Sequence, residues 1–312
     1  MRAVVTGGAG FIGSHVVDAV TRDDAQVLVI DDLSRGTKAN LADGVELATI
    51  DIRDGEAVRQ AFRDFRPDLV FHLAAQIDVR HSMADPAHDA NINIRGSINV
   101  FAAAQETGVR RVVNTSTGGA IYGEGAPVPT PEITTPEPVS AYGLSKLTAE
   151  RYARWFRAHG VDVVTLRCGN VYGPRQDPRG DAGVIALFCD RALAGRRPTV
   201  YGDGRQTRDF VYAEDVAAAN VAAATAGALP HAEYNIGTGI EVTVLELAGI
   251  IAAEAGVDPA GFDPVFAPPR AGELARSCLD VTRARRDLGL APPTAIGEGI
   301  SRTLAWIRSV SG

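Results

Sequence analysis

Tyr142 and Lys146 stand four residues apart in SAYGLSK (140–146), behind Ser140 as an N-cap and after Pro138. That spacing sets both side chains on one face of a helix, an ammonium beside a phenol. The chemistry it offers is proton abstraction by a phenolate. A phenol of pKa near 10 must fall by about three units, about 4 kcal/mol, to act as a base at neutral pH. The ammonium, the helix N-terminus and a bound cationic ring together are expected to supply that lowering. Composition singles the lysine out. Of 31 basic residues only Lys38 and Lys146 are lysine, so a compact ammonium stands at the one helical position a tyrosine base would want.

A second constellation opens the chain. In TGGAGFIG (6–13), Gly7, Gly10 and Gly13 follow a β-branched run and lead into a helix beginning near Phe11 and Ile12. Such glycines let the backbone turn, approach a pyrophosphate and pack the helix on the sheet, while the helix N-terminus offers unpaired N–H groups. Asp31 ends the second apolar run eighteen residues beyond Gly13, where a carboxylate can hold an adenosine ribose diol. Asp32 adds a second negative charge that disfavours a 2′-phosphate, which selects NAD over NADP, although Arg35 and Lys38 follow closely. Asp51 is a weaker candidate for the adenine edge. Leu73, Ala74 and Ala75 are small enough to leave room for a cofactor at a strand end.

These residues need a scaffold, and the pattern supplies one. Short apolar runs at 2–6, 27–30, 45–50, 68–72, 111–115 and 161–166 alternate with helical stretches, the rhythm of a parallel sheet covered on both faces. The expected fold is α/β, a doubly wound parallel sheet of Rossmann type with a smaller C-terminal α/β substrate-binding lobe. The expected division gives 1–168, plus about 206–238, to the cofactor domain and 169–205 with 239–312 to the lobe. The lobe begins where Gly/Pro-punctuated segments set in, with helical stretches near 184–194, 214–226 and 243–255.

Bulk properties narrow the function. The chain has 312 residues, 46% hydrophobic and 22% charged, which excludes disordered and fibrous classes. A net charge of −7 repels nucleic acid and anionic membranes. Cys168, Cys189 and Cys278 are odd in number and widely spaced, which reads as a reducing cytoplasm, no disulfide framework and no metal. No apolar run of membrane-spanning length occurs, and the glycine-broken N-terminus is not a signal peptide.

Taken in order, TGGAGFIGSH (6–15), HLAA (72–75), NIRGS (93–97), SAYGLSK (140–146), LRCGNVYGP (166–174) and TRDFVY (207–212) resemble the extended short-chain dehydrogenase/reductase family, within it the UDP-glucose 4-epimerases, over nearly the whole chain. The resemblance implies an NAD-dependent isomerase. Its tyrosine takes the proton of a sugar C4 hydroxyl while C4 hydride passes to NAD, the 4-keto sugar turns, and hydride returns on the other face. It implies Tyr142 as base, Lys146 on the nicotinamide ribose, and Asn93 as a cofactor-side or structural contact. Ser34, Gly36, Ile52 and Thr115 join the cofactor candidates. On the nucleotide-sugar side it implies Asn170 and Arg208 at the diphosphate, Arg270 and Glu273 near phosphate and uridine ribose, and Tyr201 nearby. Arginine forks suit a dianionic diphosphate. The family often pairs through two long helices, here near 88–107 and 140–159, which implies a homodimer.

The chain departs from the family in STGGAIYG (116–123). A Ser or Thr usual four residues before the tyrosine of this motif is Gly118, so Thr117, Ser116 or a water must carry the hydroxyl relay. Cys168 replaces a frequent aromatic and Asp32 a frequent asparagine. Gly119 and Ala120 stand where sister 4,6-dehydratases carry an Asp-Glu pair, and Ala120 where glucuronate decarboxylases carry a glutamate; both activities lose their extra acid or base. Ser277 leaves volume beside the sugar C2 substituent. Arg191 offers a partner to a C6 carboxylate, which keeps UDP-glucuronate 4-epimerisation as the nearest alternative to UDP-glucose/UDP-galactose interconversion. A non-catalytic NAD-sensing regulatory protein is the alternative of another class.

Overall fold

In the computed structural model, residues 1–22, 25–177, 183–269 and 274–311 are described. Seven parallel strands form the central sheet, ordered Glu233–Ile236, Val163–Cys168, Arg111–Thr117, Leu69–His72, Arg2–Thr6, Gln26–Asp31 and Glu46–Thr49. Six coincide with the apolar runs read from the sequence. The seventh, Glu233–Ile236, was not among them: Glu233 and Asn235 interrupt its apolar pattern, and both are buried because other segments satisfy them, Arg154 bonding Glu233 and Tyr122 bonding Asn235.

Helices cover both faces, as parallel strands require. Helices Phe11–Thr21 and Ala213–Thr225 bury Val16, Val17, Val216 and Ala223 against Val5, Phe71 and Val113. On the other face Gly55–Phe65, Ser97–Thr107 and Ala141–Ala158 bury Phe62, Phe101 and Phe156 against Val4, Val70 and Val112. A separate apolar core holds helices Val184–Leu193, Val244–Ala255 and Ile296–Ser311 around Tyr172, Tyr212 and Leu247. Between these bodies Ile121 and Tyr122 meet Leu279 and Val281.

The long helical stretch before residue 107 is not uniform. Pro86–Ala90 passes through a wider turn at Asn91–Gly96 into Ser97–Thr107, and that wide turn carries Asn93. Strand order reverses between Arg2–Thr6 and Leu69–His72, which opens a crevice beyond their carboxyl ends. All three cysteines are buried and free. Among the described residues no helix is long and apolar enough to cross a membrane, and no group of three His, Cys, Asp or Glu could hold a metal ion.

Candidate active site

The crevice is built from the glycine turn upward. Gly7 sits at φ +70°, and a Cβ there would fall 2.6 Å from Ala74 N, so only glycine lets the turn lie against the loop after Leu69–His72. A Cβ on Gly13 would strike the Gly7 carbonyl, and one on Gly36 would lie 2.9 Å from Ala9. Gly10 precedes helix Phe11–Thr21, whose first turn carries no side-chain cap and no acidic residue. Phe11 and Ile12 are half-buried there. An uncapped N-terminus behind a glycine cradle is a seat for a pyrophosphate.

Asp31 lies buried at its strand end and accepts Ala9 N–H (3.0 Å) and Leu33 N–H (2.8 Å). Burial raises its pKa against those two donors, and nearby Asp32 raises it further. Asp32 is exposed and accepts Ser34 N–H and Oγ–H at 2.9 and 2.6 Å. Asp51 is held below the usual carboxylate range by Arg53 and lies at the crevice rim. Ile52 is buried, its side chain packed where a Gly96 Cβ would go. Leu73 donates its N–H to Thr6 O and Ala74 to Thr6 Oγ1, which fixes the Leu73–Ala75 loop beside Gly7. These residues, the cradle and two adjacent carboxylates at the strand end, fit NAD.

Asn93 is buried with its amide fully engaged, donating to Gln76 O (2.9 Å) and Asp89 Oδ1 (3.1 Å) and accepting Gln76 N–H (2.9 Å). Of the two roles the resemblance allows, these bonds are the structural one.

Helix Ala141–Ala158 starts as the sequence indicates, with Ser140 Oγ accepting Gly143 N–H at 3.1 Å. Gly143 lets that turn approach the Ala120 carbonyl. Ser82 Oγ accepts Tyr142 N–H at 3.0 Å and anchors the start of that helix. Lys146 is buried, with no hydrogen bond or ion pair among the described residues. Burial brings its ammonium down to about 8, against Glu150, Cys168 and Asp89, which raise it. Burial likewise pushes the Tyr142 phenol up, helped by Cys168 and Asp89. The protein's own groups therefore do not lower the phenol; burial raises it. Lowering must come from positive charge that a bound ligand brings.

Several buried polar atoms on strand Arg111–Thr117 and helix Pro86–Ala90 lack partners. Thr115 Oγ1, Ser116 Oγ, Asn114 Oδ1 and Asp89 Oδ2 are all enclosed without a hydrogen bond. Strand alternation turns Ser116 toward helix Ala141–Ala158, because Val112 packs with Phe156, and turns Thr115 and Thr117 to the other face. Thr117 is partly exposed. A Cβ on Gly119 would lie 3.4 Å from Asn170 Oδ1 and 3.9 Å from Thr117 Oγ1, which sets these two polar groups at one opening. Gly118 has its own reason: a Cβ there would come within 2.6 Å of the buried Leu279 methyls.

On the lobe side, Arg208 and Ser277 are register partners in adjacent strands. The Arg208 guanidinium donates to Thr207 O and Leu274 O, both at 2.8 Å, rather than to Asp203 or Asp209. Asn170 is exposed at its strand start. Tyr201 is partly buried opposite Ala267. Ser277 and Gly118 line one cavity of ≈ 480 Å³ together with Tyr122, Thr130 and Arg276. Arg191 stands exposed on the last turn of its helix, whose buried face carries Phe188, Cys189 and Ala192. Arg270 and Glu273 lie outside the described residues.

Sequence reasoning missed Asp89 and Ser82, on short helices, and Gln76, in the loop after Leu69–His72. It also missed the buried pair Arg167–Glu150 (2.7 Å), one turn beyond Lys146, with Arg167 Nη1 donating to Tyr122 Oη (2.9 Å) and Tyr122 Oη to Asn235 (2.8 Å). Their only signal was the i,i+4 step from Lys146 to Glu150; the partners are chosen by tertiary packing.

Comparison with known proteins agrees with this geometry. Residues 3–237 match the model of the NAD dependent epimerase/dehydratase family, and the chain belongs to that family. It is 43% identical, over the full length of both chains, to a UDP-glucose 4-epimerase of Mycolicibacterium smegmatis. Among solved structures it is similar to the Thermotoga maritima UDP-glucose 4-epimerase with UDP-glucose, with TM-score 0.96 and 42% identity over all of both chains. The Thermus thermophilus UDP-glucose 4-epimerase complex with NAD has TM-score 0.91 and 41% identity, covering 99% of each chain.

Proposed function

We propose that this chain is an NAD-dependent UDP-sugar 4-epimerase, an isomerase that interconverts UDP-glucose and UDP-galactose through a 4-keto sugar. The observation that carries the reading is the Tyr142–Lys146 pair, the half-buried phenol and a buried, unpartnered ammonium on one helix of the sheet whose first strand runs into a glycine-built dinucleotide cradle. NAD, when bound, supplies a reversible acceptor for the sugar's C4 hydrogen and a positive charge beside the phenol.

The chain's own residues do the rest. The glycine turn and the uncapped helix hold the pyrophosphate, and Asp31 holds the adenosine ribose. Lys146, with no partner of its own, donates to the ribose hydroxyls and keeps a positive charge next to Tyr142. The Tyr142 oxygen accepts the C4 hydroxyl proton and returns it, so no net proton is consumed. Thr117, at the opening shared with Asn170, carries the relay hydrogen bond; Ser116 is enclosed on the helix side. Asn170, Arg208, Arg270 and Glu273 take the diphosphate and uridine ribose, with Tyr201 alongside, and Ser277 borders the sugar cavity. Residues 1–168 and about 206–238 form the cofactor domain, 169–205 and 239–312 the substrate lobe.

Leu144, Tyr152 and Trp155 are exposed at helical spacing on Ala141–Ala158, an apolar stripe that supports a homodimer paired through helices near 88–107 and 140–159. A sedimentation mass of one chain would remove that element. The reduced, buried cysteines support a cytoplasmic setting.

The test is incubation of the purified protein, without added NAD, with UDP-glucose, UDP-N-acetylglucosamine and UDP-glucuronate separately, resolving C4 epimers by NMR. UDP-galactose should form. Tyr142→Phe should abolish turnover while nucleotide-sugar binding survives. An active Phe variant overturns the base assignment, and a wild-type protein that binds NAD yet leaves all three sugars unchanged is a sensor instead.

A further inference from the structure

Asp89 is fully buried on the short helix Pro86–Ala90, which packs against helix Ala141–Ala158. Its Oδ1 accepts Gln76 Nε2–H at 2.8 Å and Asn93 Nδ2–H at 3.1 Å, and its Oδ2 has no partner. No arginine, lysine or histidine among the described residues ion-pairs with it. An uncompensated buried carboxylate costs several kcal/mol, so a charge held there needs a counter-charge nearby. Lys146 is the buried cation whose field it shares, and Lys146 too has no direct partner.

The other groups facing the pair are accounted for. Glu150, on the same helix, is bound by Arg167 at 2.7 Å. His72, from strand Leu69–His72, is brought down to about 3 by burial and by Lys146, and bridges Thr6 and Ser97 as a neutral ring. Cys168, from strand Val163–Cys168, is pushed up to about 12 by burial and stays a thiol. Ser116 from Arg111–Thr117 is uncharged. Asp89 is left as the negative group beside Lys146 that no other cation neutralises.

We infer that Asp89 is a positioning residue for the proposed reaction: a fixed buried carboxylate, oriented by Gln76 and Asn93 on a helix packed against Ala141–Ala158, that acts through space on the Lys146 ammonium and so sets the charge environment of Tyr142. This rests on the reading of Tyr142 as base. Acting through space, Asp89 favours the protonated form of both neighbours, with burial in the phenol and against the larger effect of burial in Lys146. It keeps Lys146 charged in a site that would otherwise strip its proton, and it keeps the phenol basic enough to take a sugar proton and hand it back.

The test is Asp89→Asn in the NAD-loaded enzyme. The amide oxygen still accepts from Gln76 and Asn93, so shape is kept and only the charge goes. The acid-side inflection of the kcat/KM pH profile should move down by about half a unit to one unit, the size expected of one charge at several ångströms in a partly buried site. The phenolate absorbance titration should move the same way, and Asp89→Glu should restore both. Gln76→Met, which breaks the hydrogen bond and keeps the charge, should leave the inflection in place. Asp89→Ser, which leaves room for water, is the second neutral variant should the amide not fold. An unmoved inflection in either neutral variant, or a drop in kcat uniform across pH, overturns the inference. That result is distinct from failure of the base assignment, which shows as turnover in Tyr142→Phe.

Discussion

Two clusters of buried polar groups share helix Ala141–Ala158, one turn apart, and they are built on opposite rules. Around Glu150 the charges are matched: Arg167 donates to it, to Tyr122 and to Glu132 O, and Tyr122 passes the chain on to Asn235, which bonds Thr130 O and Asp280 O. Burial pulls the Arg167 proton off, but Glu150 and Tyr122 more than reverse it. In the other cluster the Lys146 ammonium, the Asp89 Oδ2 and the Ser116 hydroxyl are left open. Satisfied buried networks fix a fold, whereas unsatisfied groups cost stability and persist where a ligand completes them. The first cluster ties helix, strand and the 274–281 segment together. The second waits for substrate and cofactor.

Breaking the open cluster should cost activity and not stability. Lys146→Met removes the cation from the phenol's side, so turnover should fall by about 10²- to 10⁴-fold, the range for loss of a general acid-base element. The fold should tolerate it, since no hydrogen bond is lost and the cost of burying the ammonium goes with it, which offsets leaving Asp89 without its counter-charge. A loss of folding in the variant, with activity retained per folded molecule, would mean the two clusters are alike.

Breaking the closed cluster should do the reverse. Arg167→Met leaves Glu150 buried without a cation and should cost about 3–5 kcal/mol of stability, read as a lowered urea midpoint at unchanged slope. Folded variant protein at low temperature should still turn over. If Arg167→Met is no less stable than wild type, the matched network is not what holds the helix to the sheet.

The same contrast has a pH signature. Lys146 is brought from 10.5 to about 8 on folding, so between those values the unfolded chain binds a proton that the NAD-free folded chain does not. Stability of wild type relative to Lys146→Met should therefore rise with pH across 8 to 10.5, by up to about 3 kcal/mol. Taking the difference between the two proteins cancels the buried thiols and phenols, whose raised values work the other way above pH 9. A flat difference, read from urea unfolding at pH 7.5 and 10, would place Lys146 in contact with water.

Legibility in the sequence followed locality. The glycine turn, Asp31 at a strand end and the Tyr142–Lys146 step each depend on neighbours within a few residues, and the structure forms those elements where the pattern set them. Asp89, Arg167 and the strand Glu233–Ile236 depend on partners far along the chain: Arg167 bonds residues 17 and 45 positions away, and Asn235 a residue 113 away. A polar residue in a strand reads as exposed until its partner is known. The phenol's environment was legible only in part for the same reason, because four residues of helix show the lysine but not the burial around it.

Gly118 gives the smallest effect and joins the two clusters. Its missing Cβ is where Leu279 packs, beside Tyr122 of the closed network, while the adjacent Thr117 lies at the opening it shares with Asn170. Restoring the family's hydroxyl by Gly118→Ser should overpack that contact and cost about 1–3 kcal/mol, with no gain in turnover. Paired with Leu279→Ala, the loss should be less than the two single costs together, since the side chains compete for one space. Thr117→Val, which changes no volume there, should instead lower kcat with stability nearly intact. If Gly118→Ser is neutral and rescues Thr117→Val, the relay belongs at position 118 and Leu279 does not bar it; if Ser116→Ala alone slows turnover, the relay runs on the helix side of the strand.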